Sequence, residues 1–76
     1  MKHILFLNKW EGLGFLLNKK LVNEGIEEEY INSKDNPELF TKYGVKSTPV
    51  LLVLDKEEVA DRLNSVDEIV EFLKNV

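Results

Sequence analysis

Residues that could perform catalysis are few in this chain of 76 residues. It has no cysteine, and its one histidine, His3, lies in the apolar run His-Ile-Leu-Phe-Leu, which is typical of a buried strand. A histidine there more often packs within a sheet than acts as a base. No serine–histidine–aspartate set and no cluster with metal-ligand spacing can be assembled around it. The sequence therefore predicts no catalytic residue and no metal site.

A second candidate site is the segment Trp10-Glu11-Gly12-Leu13-Gly14, which follows that run and opens a helical pattern. A tryptophan at a helix start can anchor a protein interface or cover the edge of the core, and both interpretations remain open. Glu11 places a negative charge near the helix N-terminus, where it is favoured by about 0.3–1 kcal/mol. Glycine-rich helix starts also bind anions, but the Glu11 carboxylate would repel one. The segment is therefore a candidate for protein contacts rather than for phosphate.

The overall charge argues against nucleic acid as a partner. The formal net charge is −4 and the isoelectric point is near 4.9, whereas phosphate binding draws its affinity from lysine and arginine. The acidic run Glu27-Glu28-Glu29 is interpreted as a solvated strand edge. No apolar stretch approaches the roughly 20 residues of a membrane span. We expect a cytoplasmic protein with one domain, over residues 1–76, that binds neither nucleic acid nor membrane.

Hydrophobic periodicity predicts strands and helices in the order βαβαββα. Continuous or alternating apolar runs are typical of strands, and apolar residues three or four apart are typical of helices. The predicted strands cover residues 3–7, 28–32, 49–54 and 58–63, and the predicted helices cover residues 10–24, 37–43 and 66–75. A βαβ unit joined to a ββα unit predicts a two-layer α/β arrangement, in which the first two strands are parallel and the others add antiparallel.

Apolar spacing and capping residues indicate how the helices pack. Asn36 is the expected N-cap of the second helix and Pro37 its first residue. Ser65 and Glu68 match a capping box at the start of the third. The first helix is amphipathic by the spacing of Leu13, Phe15, Leu16, Leu17, Leu21 and Val22. The third is expected to bury Val66, Ile69, Val70, Phe72 and Leu73.

The segment around Pro49 carries a resemblance to a known family. It reads Tyr43-Gly44-Val45-Lys46-Ser47-Thr48-Pro49-Val50-Leu51-Leu52-Val53 and resembles the segment that leads into the cis-proline loop of thioredoxin-fold proteins. Over the whole chain, the spacing of first strand, long helix and edge strand is similar to that of the short glutaredoxins and glutaredoxin-like hydrogen donors. The resemblance implies a thioredoxin-like α/β fold with a four-stranded mixed sheet in the order 2-1-3-4 and three helices packed on its faces. It also implies a cis bond between Thr48 and Pro49.

The redox motif of that family is missing from this chain. In the family, Cys-X-X-Cys lies between the first strand and the first helix, and a gap-free alignment puts its cysteines at Glu11 and Gly14. Disulfide exchange requires a thiolate, which neither a carboxylate nor a glycine supplies. Glu11 either imitates the thiolate charge for a partner or is an ordinary first-turn acid. The double substitution Glu11→Cys and Gly14→Cys is expected to bring two thiols within disulfide distance.

The glutathione clamp of glutaredoxins is only partly present. In that family it is built from a Thr-X-Pro-type loop, basic residues near the redox motif and a glycine-containing turn before the last helix. Here Ser47-Thr48-Pro49 matches loosely and Lys9 is the candidate basic partner, but Arg62-Leu63-Asn64-Ser65 lacks the glycines. The departure argues against glutathione recognition, and no cofactor is expected.

Three hypotheses for function remain open, and we favour the first. It is a redox-inactive module that binds a protein partner as a monomer or weak dimer, through a face where free backbone can pair with an extended segment. The second is a glutaredoxin-like disulfide oxidoreductase or electron donor whose cysteines were lost or replaced in this copy, and the third is a purely structural subunit. The binding residues of the first hypothesis are Trp10, Glu11, Gly12, Leu13, Gly14, Thr48, Pro49, Asn64 and Ser65.

Overall fold

The strands and helices follow the predicted order βαβαββα. The computed structural model of the protein describes residues 2–76. Its elements are β1 (Lys2–Phe6), α1 (Gly12–Asn23), β2 (Tyr30–Ile31), α2 (Pro37–Lys42), β3 (Val50–Asp55), β4 (Glu58–Leu63) and α3 (Val66–Lys74). α1 begins at Gly12 rather than at residue 10, so Trp10 lies in the loop before the helix.

The edge strand β2 is shorter than the predicted span of residues 28–32. It consists of Tyr30–Ile31, which pairs in parallel with β1. Ile26 is instead bonded to α1, since its N–H donates to the Leu21 carbonyl over 2.9 Å. This bond keeps the chain at the C-terminal end of α1 and delays its entry into the sheet.

The sheet has the predicted strand order β2-β1-β3-β4. β1 runs parallel to β2, and β3 runs antiparallel to both β1 and β4. The parallel pair needs a crossover connection, which α1 provides, whereas β3 and β4 are joined by a tight turn. The predicted mixed sheet is therefore confirmed.

Apolar side chains cover both faces of this sheet. Along β1 and β3 successive side chains point to opposite faces, as strand geometry requires, which explains why residues 4–6 of β1 and residues 50–54 of β3 are all apolar. Under α1 and α3 the buried residues are Leu5, Leu7, Leu17, Leu21, Leu51, Val53, Ile69, Val70 and Leu73. On the opposite face, under α2, they are Phe6, Val45, Val50, Leu52 and Leu54.

The predicted apolar stripe of α1 is only partly correct. Leu17 and Leu21 are buried, with Gly14 one turn earlier on the same side of the helix. At about 3.6 residues per turn these three positions lie on one side of the helix. Residues 15 and 16, which lie between them in sequence, point away from that side. The side chains that remain between 41% and 67% exposed are Leu13, Phe15, Leu16 and Val22. α1 therefore carries apolar side chains toward solvent as well as toward the core.

The predicted cap positions are confirmed for both α2 and α3, but only the α3 cap residue makes a side-chain cap bond. Ser65 Oγ accepts a hydrogen bond from the Glu68 N–H over 3.4 Å. Asn36 makes no side-chain cap bond, because its backbone, with φ −138° and ψ 64°, departs from the extended geometry of a capping residue. In α3, Ile69, Val70 and Leu73 are buried as predicted, and Val66 and Phe72 are partly buried.

His3 holds the segment before β2 against the sheet. Its Nε2 lies 2.8 Å from Glu28 Oε1, and the two side chains are 24% and 21% exposed. The imidazole also meets the Phe72 ring edge to face, with ring centroids 5.5 Å apart. His3 therefore packs, as the sequence indicated, whereas the interpretation of the acidic run as solvated is wrong for Glu28.

We expect Glu28→Ala to lower the free energy of unfolding by about 1 kcal/mol, because a half-buried hydrogen bond is lost. Glu27→Ala is the matched control, since Glu27 is its exposed neighbour and surface substitutions usually stay within about 0.5 kcal/mol. Urea unfolding of both variants measures the difference. Equal stabilities would show that the contact between His3 and Glu28 does not stabilise the fold.

Candidate functional site

The loops that hold the predicted site residues meet at one end of the sheet. Phe6, at the end of β1, pairs with Val50 at the start of β3 and with Ile31 at the end of β2. Leu63, at the end of β4, pairs with Leu51. Residues that follow β1, β2 and β4 therefore lie near those that precede β3. We call this region the loop end, and it comprises residues 7–14, 32–36, 45–49 and 64–65.

The start of α1 presents apolar and acidic groups to solvent at the loop end. Trp10 is 79% exposed and Leu13 is 58% exposed. Glu11 is the N-cap residue, with φ −124° and ψ 125°, and its carboxylate makes no cap hydrogen bond. Of the two interpretations of Trp10, its exposure therefore favours an interface anchor over a cover for the core.

The loop before β3 and the turn before α3 supply the other predicted residues. The Thr48–Pro49 peptide bond is cis. Pro49 is buried and Thr48 is half-buried, and Thr48 lies outside the ladder to β1, which begins at Val50. The predicted site residues that reach the surface of the loop end are Trp10, Glu11, Gly12, Leu13, Thr48, Asn64 and Ser65.

Gly14 is buried against the backbone of the preceding turn. A Cβ built on Gly14 would overlap the Asn8 carbonyl oxygen and lie 2.9 Å from the Asn8 carbonyl carbon. That carbonyl is held in place by the Glu11 N–H, which donates to it over 3.1 Å. Position 14 therefore has no room for a cysteine side chain in this backbone. The expectation that cysteines at positions 11 and 14 would form a disulfide is corrected on this ground.

Sequence reasoning missed a groove beside this turn. It lies between the β1–α1 loop and the residues after β2, has a volume of about 140 Å³ and is lined chiefly by Asn8, Lys9, Trp10, Tyr30, Ser33 and Lys34. Lys9 Nζ lies 5.2 Å from the Trp10 ring centroid and 5.7 Å from the Tyr30 ring centroid. The parallel pairing of β1 with β2 was the signal that could have found the groove, because it brings the ends of both strands together.

The loop end supplies no thiol, and the described residues supply no cluster of metal ligands. The sequence contains no cysteine, so the chain has no thiol to exchange with a disulfide. Over residues 2–76, no cluster of three or more His, Cys, Asp or Glu side chains could hold a metal ion. None of the helices in residues 2–76 has the length and apolar character needed to cross a membrane.

Comparison with known proteins defines the class of this fold. Among solved structures, the chain is similar to thioredoxin 1 from the thermophilic eubacterium Thermosipho africanus TCF52B, with 25% sequence identity and a TM-score of 0.66. The alignment covers 97% of this chain and 91% of that one. The protein is thus an α/β domain with a thioredoxin fold and without redox cysteines.

The family follows from the sequence itself. The model of the thioredoxin domain family matches residues 15–74, and the chain therefore belongs to that family. No curated protein matches the chain. The matched residues begin directly after Gly14 and leave out the segment in which the cysteines are missing. The finer resemblance to the short glutaredoxins stays a prediction.

Proposed function

We propose that this protein is a redox-inactive member of the thioredoxin domain family that binds another protein through the loop end of its sheet. The observation that carries the proposal is the backbone at Gly14. The Asn8 carbonyl occupies the space that a second thiol would need. The backbone here, and not only the two side chains at positions 11 and 14, is therefore unsuited to the redox motif. This disfavours the alternative of an electron donor that merely had its cysteines replaced, because restoring them would require the β1–α1 loop to move.

Exposed apolar side chains at the loop end support a binding role. Trp10 and Leu13 are both more than half exposed, and neither belongs to the buried core. Tryptophan is enriched among the residues that contribute most to protein interfaces, because its large ring excludes water over a wide area. A partner that covered the indole and the Leu13 side chain would remove this apolar surface from water.

Free backbone beside these side chains supports an extended partner segment. Lys46, Ser47 and Thr48 precede the ladder that joins β3 to β1 at Val50. Backbone at the end of a sheet that is not used within the sheet can pair with an added strand. The exposed residues Asn64 and Ser65 lie next to this loop, because β4 ends beside the start of β3. We infer that the partner is a protein and that no cofactor is required.

Crosslinking with a photoreactive amino acid tests whether the loop end contacts a protein partner. Placed at Leu13 in the cell that makes the protein, it is expected to form a covalent adduct with one protein partner on irradiation. Val59 is the matched control, since it is also an exposed apolar residue, at 42%, but it lies in β4 toward the opposite end of the sheet. Adducts are identified by mass spectrometry.

The adduct at Leu13 is expected to disappear when Trp10→Ala is added, because both residues lie in the proposed interface. No adduct at Leu13, or the same adducts from both positions, would contradict binding through the loop end.

A further inference from the structure

The groove between Trp10 and Tyr30 has the size of one side chain. Its volume is about 140 Å³, whereas small-molecule and cofactor sites are usually about 300 Å³ or larger. Its two walls are tied together, because Asn8 Oδ1 accepts a hydrogen bond from the Ser33 N–H over 3.4 Å. The groove is therefore largely formed before any partner arrives, which lowers the entropy cost of binding.

Two lysines make the groove locally basic. Lys9 and Lys34 line it together with one acidic residue, Glu11, on a chain whose net charge is −4. The ion pairs within residues 2–76 join His3 with Glu28, Lys20 with Asp67 and Lys74 with Glu24, so neither groove lysine takes part in one. The groove lining thus carries one more positive than negative side chain.

The Lys9 ammonium lies close to two aromatic rings. It lies within 6 Å of both ring centroids, at 5.2 Å from Trp10 and 5.7 Å from Tyr30, which is the range of attractive cation–π contacts. The rings also provide apolar walls for the methylene groups of an entering side chain. A lysine held in this way loses less side-chain freedom when it binds an anion than a freely moving one would.

We propose that this groove receives the carboxylate side chain of a glutamate or aspartate from an extended segment of the partner. The inference rests on the proposed function, because Trp10 and Glu11 belong both to the groove and to the binding surface of the loop end. The lysines would contact the carboxylate, and the rings would pack on its side-chain stem. Recognition at this point would select an acidic segment over a basic or neutral one.

The test uses blocked peptides and the purified protein. N-acetylated, C-terminally amidated tetraglutamate is titrated while the indole N–H signal of the single tryptophan is followed by NMR. A saturable shift is expected with tetraglutamate and none with the equally blocked tetraglutamine. Tetraglutamine with a free C-terminus distinguishes a terminal carboxylate from a side-chain carboxylate, and it is expected to bind more weakly than tetraglutamate.

Charge variants assign the effect to the groove. Lys9→Gln and Lys34→Gln are each expected to weaken tetraglutamate binding about three- to fivefold, whereas Glu11→Gln is expected to strengthen it. Lys19→Gln is the matched control, since Lys19 is an exposed lysine of α1 that lies outside the loop end and does not line the groove. Equal binding of tetraglutamine, an equal loss in Lys19→Gln, or an absence of saturation would overturn the inference.

The two proposals fail separately. An adduct at Leu13 without saturable tetraglutamate binding would overturn the acidic groove alone. Saturable tetraglutamate binding without an adduct at Leu13 would overturn the proposed function, and with it the assignment of the groove to a partner segment.

Discussion

Gly14→Ala is expected to destabilise the protein by about 2–3 kcal/mol, although alanine is normally the better helix residue by about 1 kcal/mol. The sign is reversed by one contact, because the new Cβ would overlap the Asn8 carbonyl oxygen. That oxygen also accepts the Glu11 N–H at 3.1 Å. Relief of the overlap therefore requires the turn before α1 to move. Chemical denaturation followed by circular dichroism gives the free energy of unfolding.

Gly12→Ala is the matched control in the same helix. Gly12 has φ +45°, which is strained for alanine, but a Cβ there meets no atom within 4 Å. The expected cost is about 1–2 kcal/mol, from backbone conformation alone. A Gly14→Ala variant as stable as the unsubstituted protein would mean that the Asn8 carbonyl does not lie under α1. The Gly14→Cys variant should then be tolerated, and a redox motif could be rebuilt.

The order of elements was predictable because buried strands and helix starts leave local signals. β3 is an uninterrupted apolar run from Val50 to Leu54 and is buried over that run. Ser65, three residues before Glu68, marked the start of α3 correctly. The strand order was implied by the segment around Pro49 rather than by periodicity. Such signals depend on only a few neighbouring residues, so they can be recognised in the sequence without knowledge of the tertiary contacts.

The packing of α1 was less predictable, because its apolar residues surround much of the helix. Leu16 and Leu17 are adjacent leucines, yet one is 41% exposed and the other is fully buried. Sequence cannot decide which of several apolar stripes faces the sheet. The choice is made by the close approach of the Gly14 side of the helix to the backbone after β1.

Several residues of the candidate site were predicted from the sequence, but their arrangement in space was not. Residue types and spacing in the sequence identified Trp10 and Glu11 as site residues. They did not indicate that the Asn8 carbonyl fills the space beside Gly14. The groove depends on Tyr30 and Lys9, which are distant in sequence and meet only because β1 and β2 pair in parallel. Both features arise from tertiary contacts, which leave no periodic signal.

Trp10→Ala is expected to weaken binding to the protein partner by about 2 kcal/mol, a roughly thirtyfold loss of affinity. The indole is 79% exposed in the free protein, so its removal should change stability by only about 0.5 kcal/mol. Binding and folding are therefore separable in this variant. Val22→Ala is the matched control, because Val22 is a 67% exposed apolar residue of α1 that lies outside the loop end.

The most direct test is the dissociation constant of the partner recovered by crosslinking at Leu13, measured by calorimetric titration against three forms of the protein. These are the unsubstituted chain, Trp10→Ala and Val22→Ala. Binding through the loop end predicts a roughly thirtyfold weaker constant for Trp10→Ala and an unchanged one for Val22→Ala. Equal constants for all three proteins would contradict it.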